Sequence, residues 1–440
     1  MARQLTATAD NKSNAQFSPD SREIYYLEGG TIRVAPVQRG DGRRVNAVAE
    51  MDVDFNQEKL VVFNQAWTLL RDNFFDPKFN GVDWTAARAR FEPYVAGART
   101  PDEMRRVTAQ MIGELNASHM AIGAPPGENR VSTGRLGLRF DVAEYEANGR
   151  FRIAEMLALG PVGVTRQVRQ GQYLLRIDGV VLDRSTNLDQ LLDRRIDRRV
   201  VISVADSADG TATKDVPVLP TRLTTEKGLL YRAWVEENRE YVRAASQGRL
   251  GYVHMIDMSD QSLNQLMLDL DSENVSRDGV VVDVRNNNGG FVNVYAIDVL
   301  ARKSYFNLTP RGATGAPART VLGQRSLELP TVLVTNQHSL SDAEDFTEGY
   351  RTLKLGKVVG EPTAGWIIFT GNVPLIDGSI VRLPAWRVTA SDGTDMEMHP
   401  RQVDVQVTRA LGESAAGKDT QLDTAVKTLL EQIGRRATTN

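Results

Sequence analysis

From residue 56 to about 125 the apolar positions recur with helical spacing. Val61, Val62, Ala66, Leu69 and Leu70 fall on one face of a 3.6-residue period. Thr100-Pro101-Asp102-Glu103 has the chemistry of a helix start, a capping hydroxyl followed by proline in the first turn. Met104, Val107, Met111, Ile112 and Leu115 then line one face, and the period stops before Asn116-Ala117-Ser118-His119. Those four residues are therefore expected on a loop at a helix end. Upstream, 23–27 and 31–35 are strand-like runs separated by Gly29-Gly30, the pattern of a hairpin. The segment 130–220 is β-rich, with strand-like 136–140, 173–177 and 200–204 and a short helix-like stretch at 188–192. From about 225 to 433 strands and helices alternate, which predicts an α/β arrangement on a largely parallel sheet. Its strands are expected at 251–255, 279–285 and 329–335, and an amphipathic helix at 422–433 closes the chain.

At 440 residues the chain is too long for one ordinary core, so two to four domains are expected. A 41% hydrophobic and 25% charged composition is that of globular material, and a formal charge of -3 gives no electrostatic case for nucleic acid or an anionic membrane. No run of about 18 apolar residues exists to span a bilayer. Cysteine is absent, which removes disulfides, Cys-based zinc sites and a thiol nucleophile together. No H-E-x-x-H or comparable ligand cluster exists, so no metal and no cofactor are expected. The polar start, without an apolar signal core, predicts a cytoplasmic protein, the alternative being a periplasmic one whose upstream signal has been removed.

Two stretches carry candidate chemistry. The strand ending at Thr335 runs into Asn336-Gln337-His338-Ser339-Leu340-Ser341-Asp342-Ala343-Glu344-Asp345-Phe346. A serine on a tight strand-to-helix turn exposes its hydroxyl beside a helix N-terminus, whose free amides can stabilise an oxyanion. The bland reading is an ordinary N-cap. The second stretch is Asp283-Val284-Arg285-Asn286-Asn287-Asn288-Gly289-Gly290-Phe291, a buried strand opening into a polar turn. Its glycine pair lets backbone approach a substrate closely; the bland reading is a plain turn.

In this order, with Gly360-Glu361-Pro362-Thr363-Ala364-Gly365 following, the stretches resemble the tail-specific (C-terminal processing) peptidases of family S41. The resemblance covers about 55–430. Members with a serine–lysine dyad place lysine straight after that glycine, whereas here Trp366 follows and the next lysine is Lys418. The tricorn-like branch instead has a G-E-L-x-x-S-H phrase, matched by Gly113-Glu114-Leu115-Asn116-Ala117-Ser118-His119. The segment 130–220, with Leu174-Leu175-Arg176-Ile177-Asp178-Gly179, resembles a PDZ domain, a fold that takes peptide ends as an added strand. The phrase Phe17-Ser18-Pro19-Asp20-Ser21 with Ile24-Tyr25-Tyr26 resembles a blade of a TolB-type β-propeller.

The resemblance implies a multidomain α+β and α/β protein in four parts. These are a β-hairpin or propeller remnant at 1–50, a helical domain at 55–128, an inserted PDZ-like domain at 130–220, and a crotonase/ClpP-like α/β catalytic domain at 225–434. It implies a serine peptidase with Ser341 as nucleophile and His119 as base. Ser118 would orient His119 and Glu397 would polarise Ser118, while the N–H groups of Gly290 and Asp342 form the oxyanion hole. Around Glu397 the phrase departs from the family's E-N-x-G-V-x-P-D, reading Glu397-Met398-His399-Pro400-Arg401-Gln402-Val403-Asp404. Ser339 is the rival nucleophile and His338 the rival base; His254 is expected in the core and His399 on the surface. The implied partners are peptides or unfolded chains, without nucleic acid or membrane, and a homo-oligomer is compatible with the pattern. The competing functions are a catalytically inactive peptide-binding relative and an esterase-like hydrolase, although no G-x-S-x-G elbow surrounds Ser341.

Overall fold

The computed structural model describes residues 5–6, 8, 10–38, 42–46, 52–126, 133–273, 276–303, 305–317 and 327–439. By compactness the chain falls into two units, Met1–Lys59 and Leu60–Asn440.

The first unit is built on a four-stranded antiparallel meander, β1 (Lys12–Phe17), β2 (Glu23–Glu28), β3 (Thr31–Pro36) and β4 (Arg43–Arg44). The expected hairpin is its central pair, in register from Glu28↔Thr31 to Glu23↔Pro36. Gly29 and Gly30, at φ 55 and 78, make the left-handed turn that other residues enter only with strain.

The helical segment contains α1 (Phe55–Asn73), α2 (Trp84–Gly97) and α3 (Pro101–Gly113). The buried stripe of α1 is Val62, Phe63, Ala66, Trp67 and Leu70; Val61, expected on that stripe, is exposed. Two faces satisfy the same apolar spacing one residue apart, and the bulk of Phe63 and Trp67 decides which turns inward. The Thr100 hydroxyl accepts the Glu103 N–H at 3.2 Å and starts α3. The chain then loops through Ser118 and His119 into β5 (Ala121–Gly123).

The β-rich stretch forms an antiparallel sheet from β6 (Leu138–Phe140), β7 (Phe151–Met156), β8 (Tyr173–Ile177), β9 (Val180–Val181), β10 (Val200–Ala205) and β11 (Lys214–Val218). It also holds α4 (Val142–Asn148) and α5 (Leu188–Leu191). Ile153, Leu174, Ile177, Ile202 and Val204 fill its separate core.

The last stretch is α6 (Leu223–Ala245), β12 (Leu250–His254), α7 (Asp260–Glu273), β13 (Gly279–Asp283), α8 (Asn293–Ala301), then the small pair β14 (Asn307–Leu308) and β15 (Ala316–Pro317). It continues through β16 (Thr331–Thr335), α9 (Asp342–Thr352), β17 (Gly356–Gly360), β18 (Phe369–Pro374), β19 (Ile380–Trp386), β20 (Val405–Gln406) and α10 (Thr420–Thr439). Strands β12, β13, β16, β17 and β20 make a five-stranded sheet, parallel throughout. Because side chains alternate across a strand, the valine run of β13 feeds two cores. Val280 and Val282 pack with α7, α8 and α9 through Leu266, Ile297 and Phe346. Val281 packs with α6 and α10 through Val235, Leu422 and Leu429.

A three-stranded antiparallel sheet, β18–β19–β5, ties the helical segment to this body. Ala121 of β5 stands opposite Arg382 of β19, which fixes where the nearby His119 can lie. Among the described residues no helix is long and apolar enough to cross a membrane.

Candidate active site

Neighbouring parallel strands deliver their carboxyl ends to one edge of a sheet, the edge where open α/β folds hold ligands. Here β13 runs into the turn 284–291, and β16 runs into the turn that carries Ser341. The turns are stitched together by backbone and amide groups. Leu340 N–H donates to the Asn287 carbonyl at 2.9 Å, and Asn286 and Asn336 bond each other twice at 3.0 Å. Gly289 packs against Ser341 itself: a Cβ on Gly289 would lie 2.5 Å from the serine Cβ.

Ser341 stands at the N-terminus of α9 with φ 55 and ψ −123, a strained backbone for a residue with a side chain. Ser341 and Glu344 stand in a capping-box relation at the start of α9. The Glu344 N–H goes to the Ser341 carbonyl at 2.7 Å, while Glu344 Oε1 accepts the Ser341 N–H at 3.2 Å. The N–H groups of Gly290 and Asp342 have no acceptor among the described residues and are available as donors beside Ser341. Asp342 turns its carboxylate to α8, where Asn293 N–H donates at 3.0 Å and the Asn293 amide donates as well. Burial pushes the Asp342 carboxyl up, against these bonds.

Glu344 was not singled out from sequence. It is buried and accepts from the Thr363 hydroxyl at 2.6 Å, Gly365 N–H at 2.6 Å and Trp366 N–H at 2.7 Å. The Gly-Glu-Pro-Thr-Ala-Gly phrase thus serves to wrap one carboxylate that positions the Ser341 turn. Burial raises the Glu344 pKa in opposition to those bonds.

Glu397 and the Ser118-His119 pair, 279 residues apart, form one bonded chain. Glu397 Oε1 accepts Ser118 N–H at 2.6 Å, and Oε2 accepts the Ser118 hydroxyl at 3.2 Å with Ile367 and Ile368 N–H at 3.1 Å each. Ser118 Oγ lies 2.8 Å from His119 Nδ1. Proton counting assigns the tautomer. The carboxylate can only accept, so the single hydroxyl proton points to Glu397 and Nδ1–H of His119 donates to Oγ. Nε2 of the neutral ring then carries a free lone pair. His119 itself has φ 62, a strained backbone held in place by these contacts. Its pKa is lowered, first by burial, then by the Arg382 charge, with Glu397 pulling the other way.

Ser341 opens on a cleft of about 360 Å³ lined also by Asn288, Gly290, Phe369, Thr370 and Arg382. Arg382 lines this cleft, and its charge also acts on His119. A separate cleft of about 1000 Å³ lies at the far end of α9 against Arg351, Lys357 and Glu431, and Ser341 is not part of it.

The rivals sit elsewhere. Ser339 is fully buried, with its hydroxyl donating to the Val284 carbonyl at 2.8 Å. His338 is exposed. His254 is buried, with Nδ1 2.9 Å from the Tyr231 hydroxyl and Nε2 2.9 Å from the Arg285 carbonyl. His399 is exposed, with Nδ1 2.7 Å from the Glu397 carbonyl. Arg285, absent from the sequence-derived site, is buried and joins Asp283 at 2.7 Å to Asp419 at 2.9 Å, anchoring the 284–291 turn to the start of α10.

Comparison with known proteins bears on this arrangement. Residues 249–407 match the model of peptidase family S41, and residues 55–113 match the tricorn protease C1 domain. Tricorn protease homolog 1 of Streptomyces coelicolor is 30% identical over 95% of this chain and 40% of its own length. The tricorn protease of Thermoplasma acidophilum is 26% identical over 98% of this chain and 40% of its own. A crystal structure of the tricorn protease superposes with a TM-score of 0.81 at 24% identity, over 96% of this chain and 42% of that one. The chain therefore spans about 40% of the length of these two curated relatives. These matches support a tricorn-like protease of peptidase family S41, with the S41 domain at 249–407 and the tricorn C1 domain at 55–113.

Proposed function

We propose that this chain is the hydrolytic part of a serine peptidase, with Ser341 as nucleophile and His119 as general base. The observation that carries the reading is the Glu397–Ser118–His119 chain, which leaves Nε2 ready to take a proton. A serine hydroxyl is a weak nucleophile until a base removes its proton, and neutral imidazole is suited to that near pH 7. Nε2 takes the Ser341 proton as Oγ bonds to the carbonyl carbon of the peptide. The carbonyl electrons move onto oxygen, where the unspent N–H groups of Gly290 and Asp342 receive the charge. The C–N bond then breaks, and the proton on Nε2 passes to the leaving amine. Water repeats the sequence on the acyl-enzyme and frees Ser341.

The substrates are extended peptides or unfolded chains. We read residues 138–218 as a PDZ-like module that engages them, and the 12–44 meander as one blade of a propeller. The four-part division at 1–50, 55–128, 130–220 and 225–434 belongs to the same reading, as do a cytoplasmic setting and a homo-oligomeric state. Relatives of greater length are named tricorn proteases, and that activity is carried here to the present chain.

The test is labelling with a fluorophosphonate probe, with the modified peptide located by mass spectrometry, in wild type and His119→Ala. Modification at Ser341 that vanishes in the variant is expected. Modification at Ser339, labelling indifferent to His119, or none in folded protein rejects the assignment.

A further inference from the structure

The Ser341 cleft is lined by one cation and by no acidic side chain. The cation is Arg382, in the middle of β19, opposite Asn372 of β18 and Ala121 of β5. Cross-strand neighbours share a face, so Asn372, which also lines the cleft, flanks the guanidinium. Nε of Arg382 donates to the Thr370 hydroxyl at 2.7 Å, which fixes the orientation of the planar fork. No carboxylate pairs with its terminal nitrogens among the described residues.

Two buried arginines of this protein show the paired state by contrast. Arg285 has carboxylates on both sides of its fork, and Arg401 is held by Glu348 at 3.0 Å. Arg382 is exposed where it lines the cleft, and the limited desolvation it does undergo lowers its pKa while leaving it charged. A charge in this condition gains most from a ligand that brings the missing opposite charge. The fork presents parallel N–H groups that match the two oxygens of a carboxylate.

We propose that Arg382 is a specificity-determining residue that receives a carboxylate of the bound peptide beside the cleaved bond, from an acidic side chain or from the chain end. The proposal rests on the peptidase reading of Ser341, and the experiment separates the two.

The probes are hexapeptides in two sets. In one, all carboxamide-terminated, a single Glu is walked through the positions against Gln at the same place. In the other, the all-Gln peptide carries a free carboxylate or a carboxamide at its end. Cleavage is followed as kcat/KM in the wild type, and binding as fluorescence anisotropy on Ser341→Ala protein, which needs no turnover. A charged peptide is expected to exceed its neutral twin by on the order of ten- to a hundredfold, the scale of a charge-assisted bidentate pair. The ratio falls towards one in Arg382→Gln, keeps part of its size in Arg382→Lys, and shrinks with added salt. A response in the Glu series assigns the subsite to a side chain, and a response in the terminal pair assigns it to the chain end. Equal binding of twins, no binding at all, or a preference that survives Arg382→Gln overturns the proposal. Cleavage without charge preference removes the subsite and leaves the peptidase; Arg382-dependent binding without cleavage does the reverse.

Discussion

Gly289 faces Ser341 with no room for a side chain between them: a Cβ on the glycine would lie 2.5 Å from the serine Cβ and 2.8 Å from the Leu340 carbonyl. With φ at +77, Gly289 also holds a left-handed backbone. Gly289→Ala is therefore expected to cost about 1–3 kcal/mol through strain and crowding. The Ser341 turn would be displaced, so fluorophosphonate labelling should fall along with the melting temperature. Gly228→Ala is the control: Gly228 lies within α6 and a Cβ there meets nothing within 4 Å. Its melting temperature should hold or rise, since alanine is the better helix residue.

Glu397→Gln replaces an acceptor of four hydrogen bonds by a group with one acceptor oxygen and an N–H pair facing other N–H groups. Peptidase kcat should fall by about 10²–10³, within the usual range for disturbed general base catalysis. Stability should fall by about 1–3 kcal/mol for the donors left unpaired. Ser118→Ala removes the link to Nδ1 but leaves both isoleucine N–H bonds, so its melting temperature should suffer less. Wild-type kcat in Ser118→Ala would show that the ring is oriented some other way.

The pH profile follows from the lowered pKa of His119. Burial and the Arg382 charge disfavour imidazolium, and Glu397 favours it. The acid limb of kcat/KM should therefore lie below 6.5. Arg382→Gln removes a repelling charge and should move that limb upward; Glu397→Gln should move it downward. For stability the sign is the same: the unfolded state binds the proton first, so stability falls as pH drops through 6.5 towards the folded value. An acid limb above 6.5 in the wild type would contradict this account.

Asp345, one turn beyond Ser341 on α9, is pushed up to about 7 by burial, then by the charges of Asp342 and Glu344, with Arg401 opposing. Its Oδ2 has no hydrogen-bond partner among the described residues. The folded state keeps the proton while the unfolded state, with an ordinary aspartate near 3.8, has lost it. Stability thus declines as pH rises between those values and then levels. Asp345→Asn should raise the melting temperature, by an increment that grows from pH 4 to 7 and stays constant above it. An increment independent of pH would show that Asp345 is ionised throughout.

Much of the framework was legible along the chain because its causes are local. The β13 valines announce a strand buried on both faces, Gly29-Gly30 announce a turn, and the end of apolar spacing before Asn116 announces the loop that holds Ser118 and His119. Each follows from side-chain period or backbone freedom within a few residues. The choice of Val62, Phe63, Ala66 and Trp67 over Val61 as the buried stripe of α1 already needed the packed neighbours.

The site's bonding was decided only in three dimensions. Ser339 and Ser341 differ in sequence by two positions, but one hydroxyl is buried on the Val284 carbonyl and the other opens on a cleft. Nothing near Glu344 in sequence announces that it collects three donors from residues 363–366, and nothing near Arg382 announces that its Nε goes to Thr370 with no carboxylate partner among the described residues. Periodicity and turn chemistry determine which elements form. Which strand ends lie side by side, and so which distant donor finds which acceptor, is set by sheet pairing across hundreds of residues, and no local pattern carries that information.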